Sequence, residues 1–378
     1  MPAAASRLTR LPAINGLRGI AILAVVYCHL VAGLWAEDGV PRWLSPLLTN
    51  GWTGVNLFFI LSGFVLYLPY AAGERRMDSV PDRVDFYRRR VWRLMPLFYV
   101  AVAAQWAVAA VRGEGTGIGE LAAVLSVGFV FDPRTFGPSF NVTLWSIGVE
   151  IAFSALFPLL ILGLRRWGIA RFVAAILVLA LAARVVGIWR FPEVQSIAFN
   201  TDGVICRIDE FVLGLLLAHC HAAGRLPRRP AVWAGAGIAL VGLAWVGFDL
   251  TLHHALPALS RAVLNNVLDA GLCAVALAAL CPGTRLARAL AWPPLQLLGM
   301  MCYSLYIWHW PMLGWVMPGK AEMAPATFAA GLSLYLFLVV GVAALSYRFI
   351  EFGHARDWRK LFLPQPPPRA AVADSPRP

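Results

Sequence analysis

Ile14-Asn15-Gly16-Leu17-Arg18-Gly19-Ile20-Ala21-Ile22-Leu23-Ala24-Val25-Val26-Tyr27-Cys28-His29-Leu30-Val31-Ala32-Gly33-Leu34 is long and apolar enough to cross a bilayer, yet it carries a guanidinium and an imidazole. Eleven residues at about 100° each make close to three helical turns, so Arg18 and His29 leave one face of one helix about 16 Å apart along its axis. Ionisable groups inside a membrane helix are costly and normally face a bundle interior or a wet cavity. The stretch therefore reads as a spanning helix that forms one wall of a polar site. The plainer alternative is an Arg18 that snorkels to the interface and a His29 that sits there incidentally.

Composition places the whole chain in the membrane. Of its 378 residues 60% are hydrophobic and only 14% charged, with a mean hydropathy of +0.69. Soluble domains run to about 45–50% apolar and about 25% charged, so an integral membrane protein is expected. Fifteen Trp and 33 Gly fit interfacial anchoring and close helix packing. The net charge of +12 resides in short loops between apolar runs, the positive-inside pattern, and nucleic-acid binding is not expected. All six cysteines lie in or beside apolar segments without metal-ligand spacing, so neither a disulfide framework nor a metal site is expected. The first apolar run holds Arg18 and lacks a small-residue cleavage site, so it reads as a permanent span rather than a removable signal.

Apolar runs of spanning length fall near 14–34, 51–70, 91–111, 144–163, 172–190, 204–222, 232–248, 263–281, 299–317 and 325–350. A stretch near 118–131 is too short to span. The expected fold is an all-α polytopic bundle of about ten transmembrane helices with one short re-entrant or interfacial segment. The expected setting is the cytoplasmic (inner) membrane, with both termini cytoplasmic. This threading puts Arg75, Arg76, Arg83, Arg88 to Arg90, Arg165, Arg166, Arg171, Arg225, Arg228, Arg229, Arg285 and Arg288 inside. Making 118–131 a full span would turn every later basic loop outward. One membrane domain is expected over 10–352. Residues 355–378, with Pro364 and Pro366 to Pro368, read as a disordered Pro/Arg-rich cytoplasmic tail.

Polar groups recur inside the apolar runs. Asn56 and Ser62 sit in the second, among glycines that permit close helix approach. Arg90-Val91-Trp92-Arg93 opens the third, its two guanidiniums on one face. Such a pair can grip phosphate bidentately or simply anchor a cytoplasmic edge. Trp145-Ser146-Ile147-Gly148-Val149-Glu150 opens the fourth. A buried Glu150 can orient an imidazole and stabilise its protonated form, or form a structural ion pair with an Arg. Arg207 and Glu210 stand i, i+3 and should pair locally. Tyr303-Ser304-Leu305-Tyr306-Ile307-Trp308-His309-Trp310-Pro311 sets a second histidine in the membrane beside a proline, for packing or for lining a pore.

Taken together, Arg18 with His29, Gly54-Val55 leading into Phe58-Phe59-Ile60-Leu61-Ser62-Gly63-Phe64, and Arg90-Val91-Trp92-Arg93-Leu94-Met95-Pro96 resemble the membrane acyltransferase 3 family. Trp145-Ser146 with Val149-Glu150, and Tyr303-Ser304, Tyr306, His309 and Pro311, extend the resemblance over about 10–352. It implies transfer of an acyl group, expected to be acetyl, from acyl-CoA to a hydroxyl of a carbohydrate, glycolipid or glycosylated natural product. Acyl-CoA would be a co-substrate, with no permanently bound cofactor. The donor would enter from the cytoplasm, His29 would correspond to the essential histidine, and Arg18, Arg90 and Arg93 to conserved arginines. The expected chemistry makes His29 the general base, with a covalent acyl-histidine as the alternative, and Glu150 the group that orients it. Arg18, Arg90, Arg93, Trp145, Ser146, Tyr303, Ser304 and His309 are expected to bind acyl-CoA or acceptor. The fourth-run signature departs from the family at Ile147-Gly148 and Ala152-Phe153-Ser154. Some members carry a soluble hydrolase-like C-terminal domain; little chain follows the bundle here, so the acceptor is expected to be handled in the bundle or by a partner. The rival reading is a secondary transporter whose Arg, His and Glu form a proton or substrate path. Such proteins often show repeats and broken helices at matching positions, and neither is evident in the sequence.

Overall fold

A computed structural model describes residues 11–32, 34, 44–114, 117–191 and 198–351. These form helices and turns with no strand, and each apolar run recognised in the sequence contains a helix. In chain order the helices are α1 (Pro12–Val31), α2 (Ser45–Thr49), α3 (Gly54–Ala71), α4 (Val80–Val111), α5 (Ile118–Leu125), α6 (Leu144–Trp167), α7 (Ile169–Arg190) and α8 (Phe199–Asp202). After them come α9 (Val204–Ala222), α10 (Pro230–Leu252), α11 (Ser260–Ala279), α12 (Arg285–Leu290), α13 (Pro293–Met300), α14 (Cys302–Val316) and α15 (Pro325–Ser346). A π-helical turn, Tyr347–Glu351, closes the described chain. The tail expected over 355–378 lies outside the described residues.

Eight helices among the described residues are long and apolar enough to cross a membrane. Two of the ten expected spans fall short of that standard for physical reasons. Helix α9 carries Arg207, Asp209 and Glu210, and α14 has only 15 residues because Met301 interrupts the run begun by α13. The 118–131 stretch is the short α5 followed by the 3-10 turn Gly128–Phe131, packed against α4 and α6. Gly148 explains one departure from the family signature. A Cβ at that position would collide with Val130 and Phe129, so the glycine lets this turn press onto α6.

Helix α1 is held on two sides by backbone-to-backbone contact. A Cβ on Gly16 would strike the carbonyl of Leu290, one on Gly19 that of Leu295, and one on Gly299 that of Asn15. Opposite, Gly51 and Gly54 lie against the carbonyls of Ala24 and Ala21. Helices α3 and α9 meet the same way through Gly63 and Gly214. Without a hydrophobic drive between helices in lipid, such close approach is what packing must supply. Helix α4 begins at a capping box. Ser79 Oγ accepts from the Asp82 amide at 3.2 Å, and Asp82 Oδ2 accepts from the Ser79 amide at 2.9 Å.

Two polar features fix the remaining helices. Pro311 lacks the N–H that would bond the Ile307 carbonyl four residues earlier. The buried Gln105 of α4 donates to that carbonyl instead at 2.9 Å, and Asn141 donates to Gln105 Oε1 at 3.0 Å. The second feature is a buried ion network among α3, α7, α8, α9 and α11. Arg184 donates to both oxygens of Asp209 at 3.1 and 2.6 Å, and Arg207 donates to Glu210 at 2.6 Å, the local pair its spacing implies. Arg207 also pairs with Asp202, and Asn56 donates to Glu210, Asn265 and Asp269 at 3.0 Å each. Carboxylate oxygens of Asp209, Glu210 and Asp269 lie within 4.8 Å of one another, a convergence the sequence did not disclose. Arg184, Arg207 and Asn56 engage them.

Candidate active site

Arg18 and His29 open onto different cavities, three turns of α1 apart. Arg18 lines a slot of about 40 Å³ with Ser62, Ser146, Glu150, Tyr303 and Tyr306. His29 lines a cavity of about 450 Å³ with Phe140, Trp310, Trp315, Glu322 and Lys320. What separates the two is thin. Tyr306 lines the slot, its ring centroid is 5.2 Å from that of His309, and His309 Nε2 lies 3.0 Å from His29 Nδ1.

The slot is built from helix starts and polar insertions. Ser146 Oγ, one residue pair into α6, donates to Tyr306 Oη at 2.6 Å. Tyr303 donates to the Leu94 carbonyl at 2.8 Å and so ties α14 to α4. Ser62 Oγ donates to Glu150 Oε1 at 3.0 Å, and Arg90 donates to the same oxygen at 3.1 Å. Arg90 reaches Ser154 as well, Nε at 3.1 Å and Nη2 at 2.8 Å. Ser154, at one of the departures from the family pattern, is thus a second ligand for the guanidinium. Arg93 pairs with Glu351, whose other oxygen accepts from Ser304 Oγ at 2.9 Å. Arg18 alone of the three arginines has no hydrogen bond or ion pair among the described residues.

Several expected site residues therefore stand elsewhere than supposed. Glu150 does not meet His29; its carboxylate is held by Arg90 and Ser62, the structural ion pair that was its alternative. The ring that does meet His29 is that of His309, which is fully buried and lines neither cavity. Trp145 also lines neither cavity. It lies under the Arg207 guanidinium, 5.7 Å from ring centroid to Cζ, with its edge to Phe59. Glu351, buried at 3% exposure, carries no signal in the sequence, where a carboxylate at the end of the last apolar run looks like an ordinary helix terminus. Tyr306 was visible in the sequence as part of a motif, but nothing there showed that it bridges Ser146 and the histidine pair.

The family model described as an acyltransferase domain, acyltransferase 3, matches residues 11–348. The chain belongs to this family. It is 23% identical over 381 residues to the O-acetyltransferase OatA of Staphylococcus aureus, covering 96% of this chain and 60% of the relative. It is 27% identical over 369 residues to the putative peptidoglycan O-acetyltransferase YrhL of Bacillus subtilis, covering 90% and 54%. To the peptidoglycan O-acetyltransferase OatA of Listeria monocytogenes it is 24% identical over 363 residues, covering 90% and 55%. The chain thus spans between half and two thirds of these relatives' length. No solved structure matches it.

Proposed function

We propose that this protein is an integral membrane O-acyltransferase that moves an acetyl group from acetyl-CoA to a hydroxyl of a cell-envelope carbohydrate. The donor sits on the side of Arg18, Arg90 and Arg93, and the acceptor enters the wide cavity at His29. The observation that carries this reading is the histidine pair standing between two cavities, one lined by Arg18, which has no ion pair among the described residues, and the other wide and rimmed by aromatic and charged side chains. A guanidinium at a membrane cavity suits an anionic phosphate group, and roughly 16 Å of helix from Arg18 to His29 is comparable to an extended pantetheine arm. The slot of about 40 Å³ holds little more than water, so the arm must displace wall rings such as Phe58 and Tyr306. Trp310, Trp315 and Phe140 offer faces for a sugar ring, and Glu322 and Lys320 offer partners for its hydroxyls.

In this scheme His29 takes the proton of the acceptor hydroxyl as its oxygen attacks the thioester carbon. General-base assistance of this kind is worth about 10²- to 10⁴-fold. The names of the relatives include peptidoglycan, which makes a wall glycan the first acceptor to try. The test is transfer of labelled acetyl from acetyl-CoA to soluble wall glycan fragments by detergent-purified protein. Acceptor-dependent release of CoA that is lost in His29→Ala, with binding of acetyl-CoA retained, is the expected result. Full turnover in a folded His29→Ala protein would remove His29 from the chemistry, and no acetyl-CoA binding would return the transporter reading.

A further inference from the structure

His309 stands directly behind the proposed base, and with both rings neutral its hydrogen bonds leave one protonation pattern. Its Nδ1 lies 2.6 Å from the Tyr306 carbonyl oxygen, and its Nε2 lies 3.0 Å from His29 Nδ1. A carbonyl only accepts, so the proton of the first bond sits on His309 Nδ1. A neutral ring protonated there presents a lone pair at Nε2, and His29 Nδ1 must donate to it. The second nitrogen of His29, Nε2, is then the one with a free lone pair. With Nδ1 occupied, it is also the nitrogen left for the 450 Å³ cavity that His29 lines. Among the described residues no carboxylate is bonded to either ring, so a chain of neutral dipoles does the orienting.

The surroundings hold this arrangement. His309 is fully buried, and its own carbonyl accepts from Tyr335 Oη at 3.2 Å. The Trp310 ring packs edge-on to His29 with centroids 4.9 Å apart. Gln105 fixes the neighbouring Ile307 carbonyl that Pro311 leaves free.

We propose that His309 is the positioning residue of the acyl transfer, locking His29 in its Nδ1–H tautomer and turning the basic Nε2 toward the acceptor. The proposal rests on the acyl-transfer reading of the site. The acceptor hydroxyl gives its proton to His29 Nε2 while its oxygen bonds to the thioester carbonyl carbon. The C–S bond then breaks, its electron pair leaves on the CoA sulfur, and that sulfur takes the proton back from Nε2. Throughout, His29 Nδ1–H stays directed at His309, whose polarised ring passes part of the imidazolium charge to the Tyr306 carbonyl.

The test pairs a spectroscopic readout with kinetics. Nitrogen NMR of ¹⁵N-histidine-labelled protein in detergent, with His29→Asn to identify the signals, should show His29 protonated on Nδ1 and bare on Nε2. In His309→Phe the proton should move toward Nε2, as in a free imidazole. The same variant should lose roughly 10²-fold in kcat with little change in KM for acetyl-CoA. His309→Gln, whose side-chain oxygen can stand where Nε2 stood, should recover part of that loss. A wild-type His29 protonated on Nε2, or folded His309→Phe and His309→Gln proteins that both keep kcat, overturns the proposal. A wild-type protein that transfers no acetyl group would defeat the acyltransferase reading instead, while the tautomer would still report whether His309 orders His29.

Discussion

At the residue scale the site turns on which charges have partners. Arg90 and Arg93 are neutralised by Glu150 and Glu351, whereas Arg18 lines its slot with no such partner among the described residues. A hydrogen bond to a charged group contributes about 1.5–3 kcal/mol, so Arg18→Ala should raise KM for acetyl-CoA by roughly 10- to 100-fold. Its thermal midpoint should hardly move, because no ion pair with a described residue is lost; an unchanged KM would make Arg18 an interfacial anchor. Arg207 is the opposite case. Its side chain is 5% exposed, its guanidinium paired with Asp202 and Glu210, and removing one member of a buried pair strands the others. Arg207→Leu should therefore cost about 3–5 kcal/mol, read as a large fall in thermal midpoint in detergent. A midpoint close to wild type would mean the carboxylates were not charged. Arg18, His29, Arg90 and Arg93 were all visible in the sequence, because a charge in an apolar run violates the solvent it sits in. The partners were not visible. His309 is 280 residues from His29, and no pattern along a chain states which face of one helix meets which face of another.

At the scale of elements, the apolar runs gave every long helix, since twenty apolar residues in lipid have few alternatives to a helix. Hydropathy could not show that Met301 would break the ninth run, or that α9 would bury three charges among its neighbours, because both depend on tertiary contacts. The glycines are a case in which pattern and contact agree only at some positions. Gly299 carries α13 against α1 so closely that a Cβ there would overlap the Asn15 carbonyl. Gly235 in α10 has nothing within 4 Å of the same position. Overpacking typically costs about 1–3 kcal/mol, and a backbone neighbour cannot swing aside, so Gly299→Ala should lose at least that much stability. Gly235→Ala should be neutral or gain up to about 1 kcal/mol from helix propensity. Thermal unfolding of the two variants side by side is the check, and equal midpoints would refute close packing at α1.

At the scale of the whole molecule, the cavities and the basic loops agree on a direction that neither states alone. The wide cavity is rimmed by Ala32, Arg112, Glu114, Ser139 and the 317–322 turn, all of which the threading expected from the sequence, ten spans from a cytoplasmic N-terminus, would place outside. The turns at the other end hold the clusters at Arg75 and Arg76, at Arg165 and Arg166, and at Arg225, Arg228 and Arg229. Lys/Arg-rich loops are retained in the cytoplasm, so the Arg18 slot should face the cell's CoA and the His29 cavity the envelope. Single cysteines test this directly, since the six native ones are buried or half-buried. In spheroplasts a membrane-impermeant thiol reagent should label Ala321→Cys and Glu114→Cys, and should reach Gly224→Cys only after permeabilisation. The reverse pattern would set the wide cavity in the cytoplasm. Donor and acceptor would then have to exchange sides, and an envelope glycan could no longer be the hydroxyl that His29 activates.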